Sequence, residues 1–156
     1  MTLAARAAEV KDVLESVGGI GIVHGYTRFA RRWSEVLGAF RSGDIINASM
    51  ISRNTSVSRQ ISTDLVERAH ILAINSVYGL NDDDASETTF QDLIEAQHAA
   101  FVAYEPTWSQ ADITSHPIWG PMSGAVGLQI DTIDIRLFGE VLCHYAACRI
   151  CIVEPE

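Results

Sequence analysis

The chain has 156 residues, 47% of them apolar and 20% charged, with 11 Lys+Arg against 20 Asp+Glu and a net charge of −9. This is the size and composition of one ordinary globular domain, 1–156, large enough to bury its own core without staples. The acidic balance excludes a broad basic grip on nucleic acid and fits a surface that DNA passes without sticking.

Arg6, Glu9 and Lys11 interrupt any apolar signal core near the N-terminus, and no apolar run reaches the ~18–20 residues of a membrane span. The expectation is a protein made and kept in the cytoplasm until it joins something larger. Leu3, Ala7, Val10, Leu14 and Val17 recur at three and four and predict a helix over 2–17, ended by Gly18-Gly19. Arg6 falls off that stripe. Residues 20–23 form a short apolar run of strand type. The glycines of 18–25 lack the Lys-Ser/Thr of a phosphate loop and follow a helix, so they predict a turn and a close backbone approach. Trp33, Val36, Leu37 and Phe40 share one face of a short helix, preceded by Arg28, Arg31 and Arg32.

The centre of the chain reads as a long hairpin followed by a helix. Strand-like runs at 45–53 and 63–78 flank a polar connection at 54–62. Apolar at its base and polar at its tip, the pair has the pattern of an arm leaving the body, and its exposed edge calls for a partner. Asp84-Ala-Ser-Glu87 predicts a capping box opening a helix over 85–104. Phe90, Leu93, Ile94, Gln97, Ala100, Phe101 and Tyr104 form its buried stripe, and His98 lies outside it. Residues 105–125 break periodicity with Pro106, Pro117, Pro121, Trp108 and Trp119. Trp108 and Trp119 of such a loop either anchor a partner or pin the loop to the body of the chain. A second hairpin spans 126–153. The fold class is therefore α+β: a mostly antiparallel sheet built from two hairpins, 45–78 and 126–153, with an N-terminal helix and a long helix packed on it.

Chemistry is sparse. There is no G-x-S-x-G turn and no His pair at ligand spacing. His70 and His144 sit mid-strand, where a hydrogen-bonded structural histidine is expected. Asp131 and Asp134 have opposite strand parity and make no obvious acid/base pair. Cys143, Cys148 and Cys151 lie in one strand-like stretch, where residues three apart face opposite sides, and so read as buried thiols rather than a metal or redox motif. The expectation is a protein that is not an enzyme, with no catalytic residue, no cofactor and no metal.

Several stretches carry a resemblance. They are Val23-His-Gly-Tyr-Thr-Arg-Phe leading to Trp33, Ile46-Asn-Ala-Ser-Met-Ile-Ser-Arg53, Glu67-Arg-Ala-His70, Tyr78-Gly-Leu-Asn-Asp, Ala99-Ala-Phe101 and Leu137-Phe-Gly-Glu-Val-Leu-Cys-His-Tyr145. Together they resemble a family of small tailed-bacteriophage proteins. The element order is similar to that of tail terminator (tail completion) proteins. The resemblance covers most of the chain, and the 105–125 loop has no counterpart in it. It implies a structural virion protein of the tail neck, assembled in the host cytoplasm. Such a protein forms a homohexameric ring on the head-proximal end of the tail tube, ends tube growth and joins the tail to the head connector or stopper. The implied partners are further copies of the chain, the tail tube protein, with the sheath as a further candidate, and the connector. DNA passes the lumen without sequence-specific binding, and no membrane is involved. Beside this implication, Arg53, Arg59, Arg68 and Glu67 on the first hairpin are candidate subunit-interface residues. The alternatives are a head-completion or stopper protein, or a small cytoplasmic ligand-binding domain or unrecognised enzyme with 105–125 closing on a ligand.

Overall fold

The computed structural model of the chain describes residues 3–28, 33–103, 118–119, 128–138 and 140–155. It is α+β. In chain order come α1 (Leu3–Glu15), β1 (Ile22–His24), α2 (Trp33–Phe40), β2 (Arg41–Ser42), β3 (Ile45–Ser62) and β4 (Leu65–Gly79). A 3-10 turn (Asp82–Asp84), α3 (Ser86–Ala103), β5 (Ile118–Trp119), β6 (Gln129–Phe138) and β7 (Val141–Pro155) follow. The sheet runs β1-β3-β4-β7, with β5 and β6 side by side on the far edge of β7 and the two-residue β2 on β3. Among the described residues only the β1–β3 pairing is parallel.

Strand alternation gives the sheet two distinct faces. One carries Ile51, Leu72, Ile74, Ala146, Cys148, Ile150 and Ile152, which pack with Val10, Val13 and Leu14 of α1 and Phe90, Ile94 and Phe101 of α3. Full burial of side chains of this size is worth about 1.5–3 kcal/mol each, so this layer dominates stability. The other face has a smaller cluster, in which Phe40 of α2 meets Ile46, Ala48, Val77 and Cys143. Arg6, which helical spacing places off the apolar stripe, is only 2% exposed, with its guanidinium 3.0 Å from Glu9. Its buried methylene stem lets it pack beside Val10 while the charge is met locally.

The glycine stretch is explained by one side chain. The Gly21 N–H donates to Asn47 Oδ1 at 3.2 Å, and Asn47 Nδ2 donates to the Gly19 carbonyl at 2.9 Å. Gly19 adopts a positive φ of 80°. A Cβ on Gly21 would overlap the Asn47 carbonyl. The turn is thus pinned to β3 by close backbone approach.

Two local expectations are corrected. Residues 54–62 are not a connection: β3 continues to Ser62 and pairs with β4 as far as Ser62↔Leu65, with register shifts between Arg53/Thr55 and Gln60/Ser62. The polarity of 54–62 reflects exposure, since β4 already satisfies one edge of its backbone. Nor does Asp84 open the long helix. Asp82–Asp84 form their own 3-10 turn, Ala85 sits in the left-handed region at φ 50°, and α3 begins at Ser86. The Asn81 N–H donates to Ser86 Oγ at 2.8 Å, and the Ser86 N–H to the Asn81 carbonyl at 3.1 Å, so a buried serine ties the start of α3 to the turn before it.

Two stability measurements follow from this packing. Gly21→Ala should cost about 1–3 kcal/mol in urea unfolding, the penalty of forcing extra volume into a filled site; an unchanged midpoint would contradict the Gly21–Asn47 approach. Gln97 is fully buried in α3, and neither its Oε1 nor its Nε2 has a hydrogen-bond partner among the described residues. Gln97→Met should therefore stabilise the fold by about 1–3 kcal/mol, the desolvation cost of an unsatisfied polar group.

Candidate functional site

The chemically active side chains are mostly bound to one another. Ser86 Oγ lies 2.9 Å from His144 Nε2, and the His144 ring stacks on Phe90 at 5.6 Å. Ser86 and His144 are each 3% exposed. The serine oxygen is already occupied by the Asn81 N–H, and no carboxylate meets the second imidazole nitrogen among the described residues. This pair anchors α3 to β7 and has no geometry for attack on a substrate. His70 Nδ1 is 2.8 Å from Ser56 Oγ across the β3–β4 ladder. His98 is half-buried rather than exposed, because its Nδ1–H donates to the Leu128 carbonyl at 2.8 Å, where the chain enters β6.

Asp131 and Asp134 share a face, contrary to their sequence parity. The ladder slips by one residue between Ile130 and Thr132, leaving Asp131 as the extra residue of a bulge. Both point to the α2 side of the sheet. Asp131 pairs with Arg149 at 2.6 Å, and Asp134 with Arg136 at 3.0 Å. Arg136 lies 3.8 Å above the Tyr145 ring, and the Tyr145 hydroxyl donates to Asn75 Oδ1 at 2.9 Å. The hydrogen bond that Arg136 donates to Asp134 raises the Arg136 pKa, and the one that Arg149 donates to Asp131 raises the Arg149 pKa. Each carboxylate is paired with an arginine of its own sheet, which reads as a structural network and not as an acid/base pair.

The arm residues lie where strand pairing puts them. Arg59 stands opposite Glu67 and makes a 3.0 Å ion pair with it inside the chain. Arg68 is opposite Ser58, on the other face. Arg53 is opposite Leu72, on the α1 face, and lines an open cleft of about 370 Å³ with Leu3, Tyr26 and Ile51. From 53 to 60 every side chain except that of Ser56 is exposed. Trp108 lies outside the described residues. Trp119 contributes backbone to β5, opposite Ile152.

The feature that sequence reasoning missed is an apolar strip on β6 and β7. Ile133 is 44% exposed, Ile135 54%, Leu137 66% and Leu142 50%, so that four large apolar side chains lie in water on one face. Beside them runs a groove of about 450 Å³ between β6 and α3, lined by Phe90, Ile133, Ile135 and His144 and walled by Glu87, Asp92 and Glu95. The strict alternation of Ile133, Ile135 and Leu137 was visible; that no helix lies over it was not.

Among the described residues no group of three His, Cys, Asp or Glu is placed to hold a metal ion, and no helix is long and apolar enough to cross a membrane. Comparison with protein-family models and with curated proteins finds no match to this chain.

Cys143, Cys148 and Cys151 are all buried and free. Burial, with Asp131 nearby, pushes Cys148 up to about 12. Because the shift is upward, the thiol stays protonated through neutral pH, and at pH 8 the thiolate is about one part in ten thousand. A thiol reagent at pH 8 should leave folded protein unlabelled and modify three cysteines after denaturation. Rapid labelling of Cys148 in the folded chain would contradict its placement in the core.

Proposed function

We propose that this chain is a structural virion protein of the tail-terminator type. It forms a homohexameric ring that caps the head-proximal end of a phage tail tube, ends tube polymerisation and joins the tail to the head connector. The fold is taken as two hairpins, 45–78 and 126–153, with the N-terminal and long helices packed on one face. The observation that carries the reading is the β3–β4 arm. Its residues 53–60 are exposed on both faces, and beyond Met50 its outer edge pairs with no strand among the described residues. β7 pairs with β4 along the arm from Glu67, so only the β3 edge is open there; a long free edge invites pairing, and a neighbour that receives it best accounts for this one. The resemblance to tail terminators supplies that neighbour: the next subunit of a ring. The internal pairing of serine, histidine and carboxylate groups leaves no assembled catalytic set among the described residues and favours an architectural role over an enzyme.

In this reading Arg53, Arg59, Arg68 and Glu67 lie at the subunit interface, while Trp108 and Trp119 belong to a loop that meets the tube or the connector. The net charge of −9 suits a lumen through which DNA slides.

Native mass spectrometry of the purified chain, alone and with its tail-tube protein, tests the proposal. A hexamer, free or on the tube, is the expected result. A strict monomer under both conditions would overturn it in favour of a small ligand-binding domain. Arg59→Glu sets two acids opposite each other in the arm. It should abolish assembly while lowering monomer stability by only about 0–1 kcal/mol, the range for an exposed pair. Unchanged assembly of this variant would remove Arg59 from the interface.

A further inference from the structure

We infer that the partner of the arm is the β6 edge of a second copy of this chain, so that the outer edge of β3 over 52–62 pairs with the outer edge of β6 to make one continuous sheet. This rests on the ring reading above and names the two surfaces that would join.

The first support is the pairing pattern. β3, β4, β7 and β6 are successive antiparallel neighbours. With four alternating strands the two outermost run in opposite directions. A copy rotated about an axis roughly along the strands therefore presents its β3 antiparallel to β6, and the ladder continues without a break in alternation. Had the outer strands run the same way, the same rotation would have produced a parallel junction. Head-to-tail contact between two different edges is also the kind that generates a ring when the rotation closes.

The second support is extent. β1 occupies the β3 edge only at Ala48, Ser49 and Met50. Beyond it the open edge at 52–62 matches in length the 10 residues of β6, whose own outer edge has no partner strand among the described residues. β6 pairs with Val141–Arg149 of β7 and so lies level with β3 up to Ser52, whereas the open edge lies beyond it; the copies therefore meet with a stagger along the strands of about the length of β6.

The third support is charge and polarity, face by face. Arg53 lies on the α1/α3 face of its sheet. On the same face the receiving edge offers the groove walled by Glu87, Asp92 and Glu95, which no lysine or arginine lines among the described residues. Arg59 lies on the opposite face and is met by Glu67 of its own chain, so Arg53 is the arginine that carries the charge argument. Residues 53–62 contain two arginines and no acid. An incoming strand would also cover Ile133, Ile135 and Leu137, which account for much of the exposed apolar area described above.

The test uses proline blocks on one edge at a time. Adjacent strand residues point their N–H groups to opposite edges, so of Val57→Pro and Ser58→Pro one removes an outward donor and spares the β3–β4 ladder; Ile133→Pro and Asp134→Pro serve the same purpose on β6. In each pair, the variant that keeps the wild-type circular dichroism and melting curve is used. Native mass spectrometry is then run over rising concentration on wild type, each blocked variant and their equimolar mixture. Wild type should form species larger than a dimer. Each blocked variant alone should be a monomer, and the mixture should stop at a heterodimer, because only one good β3 edge and one good β6 edge remain. If both blocked variants still assemble as wild type does, the edge assignment is overturned while the ring reading stands. If wild type is monomeric at every concentration, self-pairing of these edges is overturned, and the ring reading is decided separately by assembly on the tube protein.

Discussion

The architecture depends on β4 being paired along both edges. β3 runs beside it from Leu65 to Tyr78, and β7 from Glu67 to Gly79. This double ladder satisfies the backbone of the central strand over its whole length, including the half that no helix covers. Everything else hangs from it. α1 and α3 bury the face carrying Ile51, Leu72, Ile74, Ile150 and Ile152, and α2 closes part of the reverse face through Phe40. Asn47 fixes the glycine turn to β3, and the Ser86–His144 pair fixes the start of α3 to β7. Remove the ladder and the arm has no rigid base from which to project.

The same ladder separates the molecule into two regimes. Where helices lie over it, side chains are apolar and buried. Where they do not, the strands continue as polar, exposed backbone over 53–62. A strand pair is stiff and register-bound in a way that a loop is not, because a slip of one residue would exchange the two faces. A polar extension of this kind is a surface held in a fixed orientation. At the opposite edge of the sheet lie the acidic groove and the apolar strip, which the proposed assembly would bring against it.

Much of this was legible from residue patterns, and the failures share a cause. Helical spacing found α1 and the buried stripe of α3, including Phe90, Ile94 and Phe101, and the glycines near residue 20 announced a close approach. The polar run 54–62 read as a connection because composition reports solvent exposure, whereas strand formation is decided by a backbone partner distant in sequence. Asp131 and Asp134 were assigned to opposite faces because parity counting assumes an unbroken ladder, and a single bulge reverses it. Asp84 looked like a cap since acid at a helix start is common, but the true start is set by Ser86, whose partner His144 is 58 positions away. The strip Ile133, Ile135, Leu137 was plain as a pattern; only topology reveals that β6 lies at the sheet edge, with no helix over it among the described residues.

The most direct test of the central claim, that the arm is an assembly surface received at a sheet edge, is hydrogen–deuterium exchange read residue by residue on the free chain and on the assembled species. The account predicts that the outward-pointing amides, alternate residues of 52–62 and 129–138, exchange quickly in the monomer and become protected together on assembly, while the inward-pointing amides and those of β4 are slow in both. Assembly that leaves 52–62 as fast as in the monomer would contradict it.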